Sequence, residues 1–366
     1  MRILCAGENW YGCSCRSCVD AFRRLGHNVL NIDPQTFLPT VRTWINKAGA
    51  RLLRFRFVQE FNNRILKDAG SFRPDIFVAF HGMHVLKSTL QTLREKGVPL
   101  YNFFPDTSAF THGKWLPQSL PEYDCIFYTK HFWYPDVSKR IPLRHGCYLP
   151  HGYNPMLHRP LELDQRDIAE FACDVSFIAT HTRYKEDILA RLMSLRPQLN
   201  LRIWGNGWTE RCQSPGVARC VTGYAVTGDS FPKAIGAARI NLAIMSGIVP
   251  GASSGDLTTS RTYQIPASGG FMLHQRNDEV LELYRENEEI ACFESAEELA
   301  EKIDYYLAHP DERAAIARAG HTRCVPAYSY DNRMVELLRW HREHQAIATS
   351  RSRGDGQSHL RAEIAT

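Results

Sequence analysis

Short apolar runs alternate with segments of helical hydrophobic spacing along the first 150 residues. An apolar run over residues 2–6 ends at Gly7, residues 18–25 have helical spacing, and residues 29–32 form the next run. A short apolar run bounded by turn residues predicts a buried strand, and a period near 3.6 residues predicts a helix. The same alternation predicts helices at 41–68 and 86–96 and strands at 74–80, 98–104, 123–130 and 145–149. Such a pattern is typical of an α/β domain with a parallel sheet.

The alternation breaks at Pro150–Pro155, which holds two prolines and Gly152, and a polar segment follows to about residue 170. Composition of this kind indicates a linker between domains. A buried strand at 173–179 restarts the pattern, which continues to a last predicted helix at 329–344. The sequence therefore predicts two Rossmann-like domains facing each other across a cleft, which is the usual place for a ligand. The predicted divisions are a first domain 1–152, a linker 153–171, a second domain 172–328, a final helix 329–345 and a disordered tail 346–366.

Composition narrows the function only slightly. The 366 residues are 44% hydrophobic and carry a net charge of +5, which is too small and dispersed to indicate nucleic-acid binding. No signal peptide or membrane-spanning run is visible, and the odd number of 11 cysteines favours reduced thiols, so we expect a cytoplasmic protein. The predicted helix 41–68 is rich in Arg and Lys. Two interpretations stay open for it: a solvated surface helix, or a peripheral contact with the inner membrane face. Cys13, Cys15 and Cys18 are more typical of a tight turn than of a metal site.

The stretch Gly255–Leu273 combines a polar loop, a short helix and a buried strand. We expect Ser260 to cap the helix and Gly269 to end it. Free N–H groups at a helix N-terminus favour phosphate, and Arg261 in the first turn adds a forked cation. Asp256, Thr259 and Gln264 surround the same point, so the segment predicts an anion site. A surface helix packed on a sheet explains the segment alone about as well.

Other candidates follow predicted strands, where ligands bind in open α/β sheets. Arg183 and Lys185 lie at a strand-to-helix turn, and Gly205-Asn206-Gly207 forms a turn that a ligand can approach closely. His81 and Asp106 follow two strands of the first domain and are candidates for acceptor binding or for a general base. Their alternative roles are structural: a hydrogen-bonded histidine and a loop-capping aspartate.

Several segments together resemble the CgeB-like glycosyltransferases, the spore-maturation-protein type. They are Trp10-Tyr11-Gly12, residues 149–153, residues 202–208, residues 260–270 and residues 305–310. The resemblance implies the GT-B fold, in which the C-terminal domain holds a nucleotide-sugar, the N-terminal domain holds the acceptor, and the last helix crosses back. It also implies that Asp256 and Gln264 occupy the places of a Glu-x7-Glu motif, whose first carboxylate contacts the sugar and whose second contacts the ribose. Gln264 departs from that pattern, because an amide offers one acceptor and one donor where a carboxylate accepts twice.

The implied activity is metal-independent transfer of a sugar, of hexose type, from a nucleotide-sugar to a glycan, lipid-linked or protein acceptor, as in polysaccharide biosynthesis. We expect no cofactor and no metal, because Arg183, Lys185, Arg261 and a helix N-terminus would hold the departing diphosphate. The sequence carries no Asp-x-Asp motif of the kind that a metal-dependent transferase uses. Two alternatives stay open: a non-catalytic protein that binds nucleotide-sugars or glycans, suggested by Gln264, and a nucleotide-sugar 2-epimerase. Retaining or inverting stereochemistry, the donor, the acceptor and the oligomeric state are not indicated.

Overall fold

A computed structural model describes residues 1–37 and 44–345 of the protein, and the side chains of these residues except 44–53. The predicted tail 346–366 lies outside the described residues. Within them the chain forms two parallel sheets, each with a hydrophobic core on both faces. The predicted α/β class with two Rossmann-like domains is confirmed.

The first sheet has six parallel strands in the order β2-β1-β3-β4-β5-β6. Leu4 packs into the core on one face of β1, and Ile3 packs into the core on the other. This burial on both faces explains why the strands appear in the sequence as continuous apolar runs. The strands are β1 (Arg2–Ala6), β2 (Asn28–Ile32), β3 (Ile76–Phe80), β4 (Leu100–Phe104), β5 (Cys125–Tyr128) and β6 (Gly146–Tyr148).

The second sheet has five parallel strands in the order β11-β10-β9-β7-β8. The strand order reverses between β1 and β3 in the first sheet and between β7 and β9 in the second. In open parallel sheets, the crevice at such a reversal is where ligands bind. The strands are β7 (Cys173–Ile178), β8 (Leu201–Trp204), β9 (Ala238–Ala243), β10 (Met272–Gln275) and β11 (Ala291–Phe293).

Helices connect the strands and cover the sheets. Those of the first domain are α1 (Ser14–Arg24), α2 (Trp44–Phe72), α3 (Lys87–Glu95), α4 (Trp115–Ser119) and α5 (Trp133–Ser138). The next are α6 (Gln165–Phe171), α7 (Arg183–Leu195), α8 (Trp208–Arg211), α9 (Pro215–Ala218) and α10 (Ser230–Ala237). The remaining ones are α11 (Ser260–Ala267), α12 (Asp278–Leu283), α13 (Ala296–Ala308), α14 (Pro310–Cys324) and α15 (330–345). None of the helices within the described ranges is long and apolar enough to cross a membrane.

The chain crosses between the domains twice, and the two crossings lie side by side. The Tyr153 N–H donates to the Tyr328 carbonyl at 3.2 Å, and the Tyr330 N–H donates to the Tyr153 carbonyl at 2.9 Å. After the second crossing, α15 packs on the first domain, with Met334 and Leu337 fully buried in its core. The final helix therefore belongs structurally to the first domain.

The stretch predicted as a linker holds a helix that its polar composition did not indicate. Asp164 caps α6 by accepting from the N–H groups of Arg166 and Asp167, both at 2.8 Å. Helix α6 packs against α10, with Phe171 buried in the core of the second domain. A capping box and one buried aromatic residue stabilise this two-turn helix.

Candidate functional site

A cavity of about 470 Å³ lies between the two domains, at the carboxyl ends of their strands. Glu8 follows β1, His81 follows β3 and Asp106 follows β4 on one side, and Thr180 follows β7 on the other. Both reversals of strand order therefore open into the same space. Ser260, Arg261 and Gln264 of α11 complete the lining from the second domain.

The N-terminus of α11 lines this space with Ser260 and Arg261, but the capping residue is not the predicted one. Thr259 accepts from the Arg261 N–H at 3.2 Å, and the Thr259 N–H donates to the Thr262 hydroxyl at 3.0 Å. Ser260 instead occupies the first helical position, because the extended backbone that a capping residue needs occurs at Thr259. The expectation that Ser260 caps the helix was wrong. Gly269 ends the helix with a left-handed backbone, φ +80°, as predicted.

Arg261 reaches from α11 back to the end of β7. Its Nε donates to the Ile178 carbonyl at 2.8 Å, and its guanidinium lies 4.6 Å from the centre of the Phe231 ring. A second guanidinium nitrogen donates to Gln264 Oε1. Burial lowers the pKa of Arg261 to about 10, so the group stays charged at neutral pH. Among the described residues, no carboxylate forms an ion pair with it.

Lys185 provides a second cation on the same side. The residue is only 7% exposed, and its Nζ donates to the Thr180 carbonyl at 3.4 Å. Burial lowers the pKa of Lys185 to about 8, although nearby Asp256 acts in the opposite direction. Lys185, Asp256, Thr259 and Arg261 line a smaller cavity of about 220 Å³. Within the described ranges Lys185 also lacks a carboxylate within ion-pair distance.

Asp256 is paired with a lysine from the other domain. Lys130 Nζ lies 2.9 Å from Asp256 Oδ1 and also donates to the Thr258 carbonyl. The Lys130 side chain is 2% exposed and that of Asp256 is 14% exposed, so the ion pair is largely buried. Lys130 was missed in the sequence, although it follows a predicted strand just as His81 and Asp106 do. The carboxylate predicted to contact the sugar thus holds the two domains together.

Ser260 and Gln264 are fixed by their neighbours. His151 Nε2 donates to the Pro105 carbonyl at 3.2 Å, so its Nδ1 accepts from the Ser260 hydroxyl at 3.4 Å. Burial lowers the pKa of His151 well below its usual value, which keeps this ring neutral. Gln264 is 3% exposed and accepts from Arg261. The amide therefore positions the arginine, and its predicted contact with a ribose stays a prediction.

In the first domain, two histidines share one carboxylate. His81 Nε2 lies 3.1 Å from Asp106 Oδ2, and His112 Nε2 lies 3.0 Å from the same oxygen. Burial alone would raise the pKa of Asp106, but the hydrogen bonds from His112 and His81 outweigh it and hold that pKa below its usual range. His81 has a left-handed backbone, φ +57°, which costs free energy in a non-glycine residue. The structure brings His81 and Asp106 together, while His112 comes from the loop after β4 and carried no signal in the sequence.

Four predicted residues lie away from both cavities. Arg183 is 62% exposed and pairs with Asp187 at 2.9 Å, so it faces solvent instead of the cleft. Gly205, Asn206 and Gly207 line neither cavity. A Cβ on Gly205 would lie 2.0 Å from the Ala179 carbonyl, so the chain needs this glycine for its own packing. The structure gives these four residues no place beside a ligand in the cleft.

The described part of the chain contains no cluster of three or more His, Cys, Asp or Glu side chains that could hold a metal ion. Cys13, Cys15 and Cys18 are buried in the core of the first domain. Cys13 begins α1 by accepting from the Arg16 N–H at 3.3 Å. The tight turn that their spacing favoured is wrong for Cys15 and Cys18, which lie on the buried face of α1.

Residues 183–339 match the model of a family described as glycosyl transferase-like. This segment includes Lys185, Arg261 and Gln264 and covers less than half of the chain. No curated protein matches the chain by sequence. The family match therefore concerns the second domain and its anion site.

The whole chain is similar in structure to several solved proteins. Sucrose-phosphate synthase from Thermosynechococcus elongatus matches with a TM-score of 0.67 at 14% identity, covering 95% of this chain and 100% of that one. HepE of Anabaena, in complex with UDP-glucose, matches with a TM-score of 0.64 at 12% identity, covering 93% and 99%. The UDP-GlcNAc 2-epimerase from Neisseria meningitidis matches with a TM-score of 0.52 at 11% identity, covering 94% and 100%. The fold is GT-B, as the resemblance implied.

The Lys130–Asp256 pair predicts a strong effect on stability. Lys130→Met leaves a largely buried carboxylate without its partner, and we expect a loss of about 3–5 kcal/mol in the free energy of unfolding. Adding Asp256→Asn should restore much of that loss, since no charge is then left unpaired. Thermal and urea unfolding of the single and double variants measure both effects.

Arg56→Met is the matched control, because Arg56 pairs with Glu60 on the surface with 75% and 51% exposure. An exposed pair of this kind contributes only about 0.2–1 kcal/mol. A loss for Lys130→Met no larger than that of the control would contradict a structural role for the ion pair.

Proposed function

We propose that this protein is a metal-independent glycosyltransferase that takes a sugar from a nucleoside-diphosphate sugar held by its second domain. The observation that carries the proposal is the pair of cations, Arg261 and Lys185, which lie without carboxylate partners among the described residues at the N-terminus of α11. Two cations and free N–H groups in a crevice at a strand-order reversal suit a diphosphate. HepE, a structural neighbour, binds UDP-glucose, which makes UDP-sugars of hexoses the first donors to test.

The reaction follows from this placement. An acceptor hydroxyl attacks the anomeric carbon and forms the new C–O bond, while the bond from that carbon to the diphosphate oxygen breaks. The electron pair leaves with the diphosphate, whose added negative charge Arg261, Lys185 and the helix N-terminus stabilise. The hydroxyl proton passes to a base. Gln264 and Ser260 line the cavity between the domains and are the groups available to the ribose and the sugar.

His81 is the candidate that receives this proton. Its Nε2 donates to Asp106, so the lone pair of the neutral ring is on Nδ1, which makes no hydrogen bond among the described residues. The carboxylate fixes the ring and stabilises the charge that protonation creates. We assign the acceptor side to the first domain on this basis.

The class of acceptor is a glycan, a lipid-linked or a protein hydroxyl, as in the CgeB-like proteins that the sequence resembles. Helix α2 borders the acceptor side with Phe55, 57% exposed, next to Arg56, whose side chain is 75% exposed. An exposed aromatic residue beside cations supports a contact with a membrane surface. A role in polysaccharide biosynthesis fits these acceptors.

A 2-epimerase is the second candidate, favoured by the similarity to the Neisseria meningitidis enzyme. It would change the donor sugar without an acceptor. Analysis of the sugar after incubation with UDP-GlcNAc alone separates the two functions, because a transferase leaves the configuration at C2 unchanged.

Replacing Arg261 with alanine should weaken UDP binding by roughly 10- to 100-fold, because it removes charge-assisted hydrogen bonds to phosphate. Arg183→Ala is the matched control, since Arg183 begins α7 but points to solvent. The Kd of this variant for UDP should stay within about twofold of the wild-type value. Calorimetric titration with UDP measures both. Equal Kd values for the two variants would place the diphosphate elsewhere.

Lys185 predicts a pH dependence of UDP binding. The pKa of Lys185 is lowered to about 8 in the free protein, and a bound diphosphate favours its charged form. Affinity should therefore be flat from about pH 7 to 8 and fall by up to about tenfold per pH unit above that, as the proton is lost before binding. Lys185→Arg keeps the charge and should flatten the profile up to about pH 9.5. A wild-type profile as flat as that of the arginine variant would contradict this role.

His81→Ala should lower turnover of UDP-glucose by about 10²- to 10⁴-fold, the usual contribution of a positioned base. The Kd for UDP should not change, because His81 lies on the acceptor side. His145→Ala is the control, since His145 is exposed at the opposite edge of the first sheet. Normal turnover in His81→Ala, or a parallel loss of UDP affinity, would remove His81 from the acceptor side.

A further inference from the structure

A third and still smaller cavity, of about 130 Å³, lies in the first domain and adjoins the cleft. Glu8 and His81 line both spaces, so the two are continuous at these residues. The small cavity is distinct from the anion site, because none of the residues of α11 contributes to it.

The walls of the small cavity are mostly apolar. Phe61 of α2, Phe80 at the end of β3 and Val85 are 2%, 5% and 2% exposed, and Ala6 and Met83 also contribute. Cavities with such walls exclude water and accept apolar groups: a cavity of about 150 Å³ lined by Leu, Ile and Phe binds benzene. The volume here corresponds to one six-membered ring.

One polar atom in this wall has no partner. His84 Nδ1 is buried and makes no hydrogen bond, although the ring also contacts Trp115 edge-on at 6.2 Å. Burial and nearby Arg54 lower the pKa of His84 to about 4, so the ring is neutral at pH 7. The uncharged ring therefore adds no charge to the wall of the cavity.

We propose that the small cavity binds a benzyl-sized apolar group of the acceptor, which places a hydroxyl attached to that group beside His81. The proposal rests on the glycosyltransferase function and adds the acceptor's chemical class: a hydroxyl on or next to a compact aromatic ring. A purely saccharide acceptor would leave the apolar walls empty, and removal of the ring from water supplies the binding free energy.

Benzyl alcohol is the probe. We expect saturable binding in the millimolar range by saturation-transfer NMR, and loss of at least tenfold in affinity when Val85→Phe fills the cavity. Ile248→Phe adds the same ring at a position that is 70% exposed and should bind benzyl alcohol as the wild type does. Phe61→Leu enlarges the cavity instead, and this variant should prefer 1-naphthalenemethanol to benzyl alcohol. If Val85→Phe lowers the melting temperature, the Phe61→Leu result decides the question.

UDP binding is measured in the same samples by thermal shift. If UDP binds but benzyl alcohol does not, or if both cavity variants bind benzyl alcohol like the wild type, the acceptor proposal is overturned and the donor site stands. If UDP and other nucleoside diphosphates produce no shift, the glycosyltransferase function itself fails. If the wild type forms a benzyl glycoside from UDP-glucose and Val85→Phe does not, although that variant still binds UDP, the acceptor cavity and the glycosyltransferase function are both supported.

Discussion

Positive charge that is buried without a counter-charge is the constraint on which the site depends. Lowering the pKa of a lysine from 10.5 to about 8, as at Lys185, corresponds to roughly 3 kcal/mol of lost stabilisation of the charged form. Arg261 is in a similar position, supported by a carbonyl, an amide and the face of Phe231. Folding places both groups where only an anion from outside can compensate them. An anion placed between the two cations would compensate both charges, which is the reason we propose this site for a diphosphate.

The ion pair between the domains maintains this imbalance. Asp256 is the carboxylate nearest to Lys185 and would neutralise it if the two met. Lys130 instead reaches across from the first domain and holds Asp256 Oδ1 at 2.9 Å. The same loop is anchored by the Thr258 hydroxyl, which donates to Glu279 at 3.2 Å. Asp256 raises the pKa of Lys185 against the effect of burial, but the lysine with which it forms an ion pair is Lys130 of the other domain.

The periodic pattern predicted both sheets, because strands buried on two faces must be apolar throughout and helices on a sheet must be amphipathic. It also indicated a candidate anion site at α11, since a loop before a helix with an arginine in its first turn has local signatures, and that site stays a prediction. The sequence did not indicate the site residues whose roles come from contacts with residues far away along the chain. Lys130, His112 and His151 act through contacts with residues of other elements, and the local sequence does not show which residues they contact. The structure gives Arg183 a partner on its own helix, because Asp187 one turn later pairs with its exposed side chain. Gly205 has a structural role, because a Cβ there would meet the Ala179 carbonyl, and contacts of both residues with a ligand stay predictions.

In the reaction that we propose, the two domains stabilise charges of opposite sign. The second domain presents cations and helix N–H groups, so it stabilises the negative charge that leaves with the diphosphate. The first domain presents His81 and His112 around Asp106, so it stabilises the positive charge that appears when a proton is taken up. These opposite charges would polarise the bond between the anomeric carbon and the diphosphate oxygen before an acceptor binds. The apolar cavity beside His81 lies on the side where we propose that the acceptor enters. The chemistry therefore requires the two domains to face each other, which the return of α15 to the first domain and the paired crossings at Tyr153 and Tyr328 enforce.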